Sequence, residues 1–224
     1  NDVNVQIIIN AINSAIGAYG NTISWGHTSN YKQAIDSEFV QFVKDMNDGK
    51  VGTVIIHGVN PAYDYFDKEK FATGLAKVGT TISLSGELDE TAALTKYVMP
   101  DHHWLESWGD AEGKSGYYGF IQPTIKPLFK TRAFPDTLLN WSDNTADYHT
   151  VWNNYWVAKL GQTNFNKALQ DGIVEPTAPT MTGATFAGNL ADAITKASAT
   201  KGSKHEVVIY ESVALGYGGT ASNN

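Results

Sequence analysis

Cysteine is absent from the 224-residue chain. Its absence excludes disulfide bonds, cysteine-ligated iron–sulfur clusters, thiolate zinc sites and a cysteine nucleophile from this segment. Charged residues are few, at 17%, and the formal net charge is -7 with a pI of about 5.3. No cluster of lysine or arginine stands out in the sequence. Nucleic acid is therefore not an expected partner.

Long apolar runs are also missing. No run approaches the roughly 18 residues that a membrane-spanning helix needs, so we expect no direct insertion into a membrane. The first residues lack the basic and apolar regions of a signal peptide. The sequence begins close to a predicted helix and without an initiator Met, and we expect it to be a fragment of a longer chain. With 42% hydrophobic residues, residues 1–224 are predicted to form a single α/β domain.

The fold prediction depends on the segment 52–110. Apolar, β-branched runs that end at turn residues are typical of strands buried on both faces. The predicted order is strand 52–57, helix 67–78, strand 80–85, helical turn 87–94 and strand 97–99. Asp67 is expected to cap the first helix, whose Phe71 and Leu75 share one face. Strands and helices that alternate in this way predict a three-layer, mainly parallel, Rossmann-like sheet with helices on both faces.

The remaining patterns supply further elements around this sheet. Helical periodicity is found in residues 3–18, 37–47, 147–159, 164–170 and 184–197, and a short helix is predicted within 128–143. Strands are predicted at 117–121 and 206–215, with a turn at 113–116. The proline- and threonine-rich segment 174–183 is interpreted as a linker-like surface loop. Thr163 is the expected cap of the helix that starts near residue 164.

An ordered series of short motifs follows the predicted strands. It consists of Gly58-x-Asn-Pro61, Asp89-Glu-Thr-Ala92, Tyr97-Val-Met-Pro-Asp101, Leu105-Glu106, the segment 106–112 and the segment 122–129. The series resembles the nucleotide-binding α/β domain of molybdopterin oxidoreductases. It is most similar to the molybdopterin-oxidoreductase-like part of the iron–sulfur subunit of alternative complex III, a quinol:cytochrome c oxidoreductase. The resemblance covers most of the chain.

Ligands of parallel sheets bind at the carboxyl ends of the strands, and the resemblance implies a pterin dinucleotide there. The candidate cofactor-binding residues are Gly58, Asn60, Pro61, Ser85, Glu87, Glu90, Thr91, Pro100 and Asp101. Glycine permits close approach of the backbone, and asparagine offers both donor and acceptor groups. For Gly58 and Asn60, however, a tight turn that is present for its geometry is the preferred interpretation. Ser85 stands where the family commonly has an aspartate, and serine cannot supply the charge-assisted bonds of a carboxylate.

The resemblance implies a structural and interaction domain of an exported respiratory complex at the periplasmic face of the bacterial inner membrane. Expected partners are other domains of the same full-length chain and other subunits of the complex. We expect no cofactor and no catalytic residue in this segment. The family's cofactor is molybdopterin guanine dinucleotide, which the complex III subunit lacks, and its iron–sulfur clusters would be bound in other domains. One alternative is a working polysulfide- or thiosulfate-reductase-like chain that binds the dinucleotide here. Another is a free-standing α/β protein that binds GMP or GDP.

Polar clusters and tryptophans leave further alternatives open. His102, His103 and Glu106 suggest a metal site at helical spacing, but a cluster at a helix start that hydrogen-bonds neighbouring loops is the preferred interpretation. Glu106, Asp110 and Glu112 suggest acid–base chemistry, but solvated or salt-bridged carboxylates are preferred.

The aromatic residues of 148–156 are assigned to the core rather than to a docking stripe. The tryptophans expected to fill interfaces between sheet and helices are Trp25, Trp104, Trp108 and Trp141.

Overall fold

The computed structural model describes residues 2–31, 33–176, 185–199, 202, 205, 207–210 and 212–213. The α-helices of this part are α1 (Val3–Ala15), α2 (Asp36–Asn47), α3 (Pro61–Asp64), α4 (Lys68–Lys77), α5 (Phe134–Trp141), α6 (Tyr148–Leu160), α7 (Gln162–Asp171) and α8 (Leu190–Ala199). The strands are β1 (Thr53–Ile56), β2 (Thr80–Ser83), β3 (Tyr97–Val98), β4 (Gly109–Lys114), β5 (Tyr117–Ile121) and β6 (Ile173–Val174). Short 3₁₀ helices cover Ala92–Leu94 and Trp104–Glu106.

A three-stranded parallel sheet in the order β1-β2-β3 confirms the strands predicted within 52–99 and the α/β fold class. The helix α4 connects β1 to β2 and begins where predicted, because the Asp67 carboxylate accepts a hydrogen bond from the Lys70 backbone N–H at 3.2 Å. Parallel pairing places Ile56 opposite Ser83, so that the carboxyl ends of β1 and β2 lie side by side. The loops that follow these two strands therefore meet at one edge of the sheet.

The main core lies on one face of this sheet. Val54 and Ile56 are buried there against α2 and α4, together with Phe71 and Leu75. Ile55 points to the opposite face and is 43% exposed, so the prediction that this strand is buried on both faces was wrong. The cause is that periodicity identifies a strand but does not show what covers each of its faces.

The strands β4, β5 and β6 form a second, antiparallel sheet. A mainly parallel arrangement therefore does not hold for the described strands. The predicted turn at 113–116 is confirmed only in part, because β4 continues to Lys114 before the chain reverses. Its residues Gly109–Lys114 have low strand propensity, and pairing with β5 holds them in the sheet.

A second core packs around the antiparallel sheet and consists largely of aromatic side chains. Trp152 and Trp156 of α6 are buried with Phe165 of α7, which confirms the core assignment for these two tryptophans. The assignment was wrong for Tyr155, which is 54% exposed. Trp108 packs against this cluster as predicted. The prediction was wrong for Trp25, Trp104 and Trp141, whose side chains are exposed. Thr163 is not a cap either, since α7 already begins at Gln162, directly after Gly161.

The helix α1 packs against α8, and α8 begins later than predicted, at Leu190. The predicted strand 206–215 was wrong for residues 207–210, which form no strand and are exposed. Most of the predicted surface loop at 174–183 lies outside the described residues. Within the part of the chain that the structure describes, no helix is both long and apolar enough to cross a bilayer.

Candidate functional site

A cavity of about 1040 Å³ lies at the carboxyl ends of β1 and β2. Five of the predicted site residues line it: Gly58, Asn60, Ser85, Glu87 and Glu90. Gly58 follows β1 with a φ of 67°, a left-handed conformation that glycine adopts readily. These five candidates therefore lie together, because strand ends of a parallel sheet converge.

Asn60 connects the loop after β1 to the loop after β2. Its Oδ1 accepts hydrogen bonds from the Thr91 backbone N–H at 3.2 Å and from Thr91 Oγ1 at 2.6 Å. Its Nδ2 donates to Glu90 Oε2 at 2.7 Å. Thr91 Oγ1 in turn accepts from the Ala62 backbone N–H at 2.9 Å. These contacts leave one amide N–H of Asn60 for any other partner.

The neighbouring residues Pro61 and Thr91 have structural positions beside the cavity. Pro61 is buried at the start of α3, where its missing N–H costs nothing. Thr91 is fully buried and precedes the 3₁₀ helix Ala92–Leu94. Both were candidate positions of the family's cofactor site, regarded as vestigial, and the structure places them among the residues that fix the loops.

Ser85 and Glu87 form the second strand end. The Ser85 hydroxyl accepts a hydrogen bond from the Glu87 backbone N–H at 3.3 Å, and the Ser85 backbone N–H donates to Ser83 Oγ at 3.2 Å. These are local turn contacts of the kind that serine commonly makes. The Ser85 side chain therefore shapes the turn after β2.

The cavity is acidic. Asp64, Glu87, Asp89 and Glu90 line it, and no lysine or arginine of the described residues does. Burial, followed by repulsion from Glu90, raises the pKa of Asp64. The hydrogen bond from Asn60 lowers the pKa of Glu90 and favours its ionised form. Such a lining repels phosphate groups and favours cationic or neutral groups.

Pro100 and Asp101 follow β3 and do not line the cavity. One oxygen of Asp101 accepts hydrogen bonds from the backbone N–H groups of His102 and Phe134, both at 2.7 Å. Its other oxygen forms a hydrogen bond with His57 Nε2 at 2.8 Å. The His57 ring also stacks on Phe134, with ring centroids 4.3 Å apart. Asp101 thus joins the ends of β1 and β3 to the start of α5.

His57 is a cavity-lining residue that the sequence prediction missed, as are Asp64 and Asp89. It directly follows Ile56, the last residue of β1, and precedes Gly58, so its place at a strand end was visible in the sequence. The pairing with Asp101 was not visible, because 44 positions separate the two residues along the chain. Only the alignment of β1, β2 and β3 in one sheet brings these residues together.

The cluster at 102–106 organises loops, as the preferred interpretation predicted. The carboxylate of Glu106 accepts hydrogen bonds from the backbone N–H groups of His103 at 3.0 Å and Leu128 at 2.9 Å. These two bonds, the one from Leu128 first, lower the pKa of Glu106. His102 Nδ1 forms a hydrogen bond with Thr131 Oγ1 at 2.6 Å. In the described residues, no group of three or more possible ligands is arranged to hold a metal ion.

Asp110 and Glu112 also have structural partners. One oxygen of Asp110 accepts hydrogen bonds from the indole N–H groups of Trp152 at 2.7 Å and Trp156 at 2.9 Å. Glu112 accepts from the Gly116 backbone N–H at 2.6 Å, across the β4–β5 turn. The two carboxylates therefore hold the second core and the hairpin together. Both residues are exposed, as the prediction of solvated carboxylates has it, and the hydrogen bonds fix their positions.

The residues at the carboxyl ends of β1 and β2 therefore form a cavity with an acidic lining, and hydrogen bonds join the loops that form its walls. Comparison of the chain with protein-family models gave no match, and comparison with curated proteins gave no significant match.

Proposed function

We propose that the chain is a scaffold and interaction domain of a molybdopterin-oxidoreductase-like respiratory subunit, without a bound molybdenum cofactor in this segment. The ordered motifs at 58–61, 89–92, 97–101, 106–112 and 122–129 support the family. The parallel sheet β1-β2-β3 supports the α/β fold that the family implies. On this proposal the sheet is the centre of a three-layer, Rossmann-like domain, and further parts of a longer chain complete its open face.

The chemistry of the residues that line the cavity supports the proposal that no dinucleotide binds. Asn60 uses three hydrogen bonds within the protein, and Ser85 offers no charge. The four carboxylates of the lining oppose the negative charge of a pyrophosphate, and no cationic side chain among the described lining residues offsets them. The residues present therefore do not fit a pterin guanine dinucleotide.

On this proposal the domain contributes to quinol:cytochrome c electron transfer through its contacts alone. Its partners are other domains of the same full-length chain and other subunits of a complex on the periplasmic face of the inner membrane. The iron–sulfur clusters of such a complex would lie outside this cysteine-free segment. No residue of the segment is assigned a catalytic role.

Thermal unfolding with added GMP and GDP tests the absence of nucleotide binding. A ligand at about 100 times its Kd stabilises a folded protein by roughly 2.7 kcal/mol, which gives a clear shift in Tm. We expect no shift with either nucleotide. A reproducible rise in Tm that the substitution Asn60→Ala abolishes would contradict the proposal. Metal and pterin analysis of the full-length protein from its host tests the same claim for the whole subunit.

The cavity itself favours one alternative function. Its volume of about 1040 Å³ is at the upper end of the range for ligand pockets, and it lies where parallel sheets bind ligands. A dinucleotide-binding domain of an active polysulfide- or thiosulfate-reductase-like enzyme would use this space. Molybdenum or tungsten together with a pterin in the full-length protein would favour this alternative.

A further inference from the structure

The short helix at 104–106 and the loop at 122–132 form an exposed surface that is both apolar and basic. We call it the Trp104 patch. Trp104 is 64% exposed, Leu128 72% and Phe129 75%. The patch consists of these three residues and the exposed basic residues Lys126, Lys130 and Arg132. Large apolar side chains that are exposed together usually mark a binding surface.

The loop is fixed to the short helix at two points, so the patch has a defined shape. The backbone N–H groups of Thr124 and Ile125 donate to the Leu105 carbonyl oxygen at 2.8 and 3.2 Å. The Leu128 backbone N–H donates to Glu106 Oε1 at 2.9 Å. Leu128 is this second point and Phe129 follows it directly, and both side chains are exposed. The loop that carries these apolar side chains is therefore held against the short helix that carries the exposed indole of Trp104.

The charge of the patch is opposite to that of the whole chain. Residues 115–135 contain three basic residues and no acidic residue, whereas the net charge of the chain is -7. The three basic residues are separated by one to three positions, so they form no run in the sequence. Glu106 lies beneath the loop, and its side chain is only 5% exposed. Its carboxylate accepts two backbone hydrogen bonds, which leaves the surface itself basic.

We propose that the Trp104 patch docks on an anionic membrane surface. Tryptophan prefers the interface between lipid and water, and lysine and arginine are attracted to anionic headgroups. Leucine and phenylalanine beside them gain from burial among the acyl chains. The apolar side chains lie on a short helix and a loop and are largely exposed, and a deformable lipid interface accommodates such an irregular surface. This is peripheral contact, and it goes beyond the proposed scaffold function.

Sedimentation with lipid vesicles tests the proposal on the whole chain. Vesicles with about 30% phosphatidylglycerol are compared with pure phosphatidylcholine at low salt. Three basic side chains, each contributing roughly fivefold, predict about 100-fold weaker binding to the neutral vesicles. The double variant Leu128→Ser/Phe129→Ser should lose at least about tenfold in binding to the anionic vesicles. Lys126→Gln/Lys130→Gln should lose a similar factor and should reduce the dependence on salt.

Matched variants elsewhere on the surface provide the controls. Ile16→Ser/Phe66→Ser removes two equally exposed apolar side chains, and Lys68→Gln/Lys70→Gln removes two exposed charges. Both should bind anionic vesicles like the parent chain, and circular dichroism checks that every variant is folded. Equal binding by the Leu128/Phe129 and Ile16/Phe66 variants, or no binding of the parent chain, overturns the proposal. Self-association that only the Leu128/Phe129 variant abolishes would also overturn it, in favour of a protein interface.

Discussion

Asn60 and Thr91 are joined by two hydrogen bonds that connect the loops after β1 and β2. Asn60 Oδ1 accepts both the backbone N–H and the hydroxyl of Thr91, at 3.2 and 2.6 Å. Thr91 is fully buried, and its acceptor Asn60 lines the cavity. Asn60, a candidate position of the family's cofactor site, is therefore part of the framework of the sheet edge.

Removal of this contact should destabilise the fold. Asn60→Ala leaves the buried N–H and hydroxyl of Thr91 without an acceptor, and unsatisfied buried groups cost about 1–3 kcal/mol each. We expect the free energy of unfolding to fall by about 2 kcal/mol, measured by urea denaturation. Asn154→Ala, at an exposed position of α6, should change it by less than about 0.5 kcal/mol. Equal effects of the two substitutions would contradict the structural role of Asn60.

The carboxylate of Asp110 should be essential for the aromatic core. It accepts the indole N–H groups of Trp152 and Trp156, both of which are buried. Asp110→Ala removes the acceptor of both indoles, and water can replace part of it because Asp110 is exposed. We therefore expect a loss of about 2 kcal/mol in unfolding free energy together with a weaker near-UV circular dichroism signal. Asp110→Asn keeps an acceptor oxygen and should recover most of the loss. If asparagine is no better than alanine, the indole hydrogen bonds do not stabilise this core.

The sequence predicted those helices and strands that are stabilised by contacts between neighbouring residues along the chain. The sequence showed that Asp67 caps α4 and that Phe71 and Leu75 share its buried face. Capping and helical periodicity depend on neighbours along the chain, so a local pattern reveals them. The strand Gly109–Lys114 was not visible, since its residues have low strand propensity and pairing with β5 stabilises it. The exposure of Ile55 could not be predicted either, because it depends on what packs against the sheet.

In the candidate site, too, the sequence predicted what local patterns determine and not what contacts between distant residues determine. Convergence of Gly58, Asn60 and Ser85 followed from the parallel order of the strands, which the sequence indicated. Whether Asn60 faces a ligand or another loop depends on the conformation of the loop that carries Thr91. That conformation is set by contacts between residues about 30 positions apart, which no local pattern describes.

Glu106 should make stability depend on pH. Hydrogen bonds from the Leu128 and His103 backbones lower its pKa below the usual value of 4.5. A carboxyl whose pKa is depressed by folding stabilises the folded state above its unfolded pKa, and this contribution is lost as the pH falls through the folded value. Glu106→Gln should therefore lower Tm at pH 7, and the difference from the parent chain should shrink below about pH 4.5.

Thermal unfolding of the parent chain and Glu106→Gln across this pH range measures the effect. Glu175→Gln, at an exposed position, provides the control and should follow the parent chain at every pH. A difference in Tm for Glu106→Gln that stays constant from neutral to acidic pH would show that the charge of Glu106 does not contribute.

Asp64 should have the opposite pH dependence. Burial and the charge of Glu90 raise its pKa above the usual value of 3.8, so ionisation of Asp64 opposes folding. The contribution of the protonated form is complete below the unfolded pKa and is lost as the pH rises through the folded value. Asp64→Asn should therefore raise Tm at pH 7 and have little effect below about pH 3.8. The exposed control Asp143→Asn should show no such change, and a lower Tm for Asp64→Asn at pH 7 would contradict the prediction.

Ile55 and Ile56 provide a matched test of the one-sided sheet. The two residues are adjacent in β1, but Ile56 is 6% exposed in the core and Ile55 is 43% exposed on the opposite face. Ile56→Ala should cost about 3 kcal/mol of unfolding free energy, because it removes buried methyl groups and leaves a cavity. Ile55→Ala removes side-chain atoms that are partly in contact with water, and we expect a cost of about 1 kcal/mol or less.

Urea denaturation at several protein concentrations measures both values. Equal costs that are independent of concentration would show that another part of the chain covers Ile55, as in a three-layer fold. Equal costs that grow with concentration would instead show that a second copy of the chain covers this face.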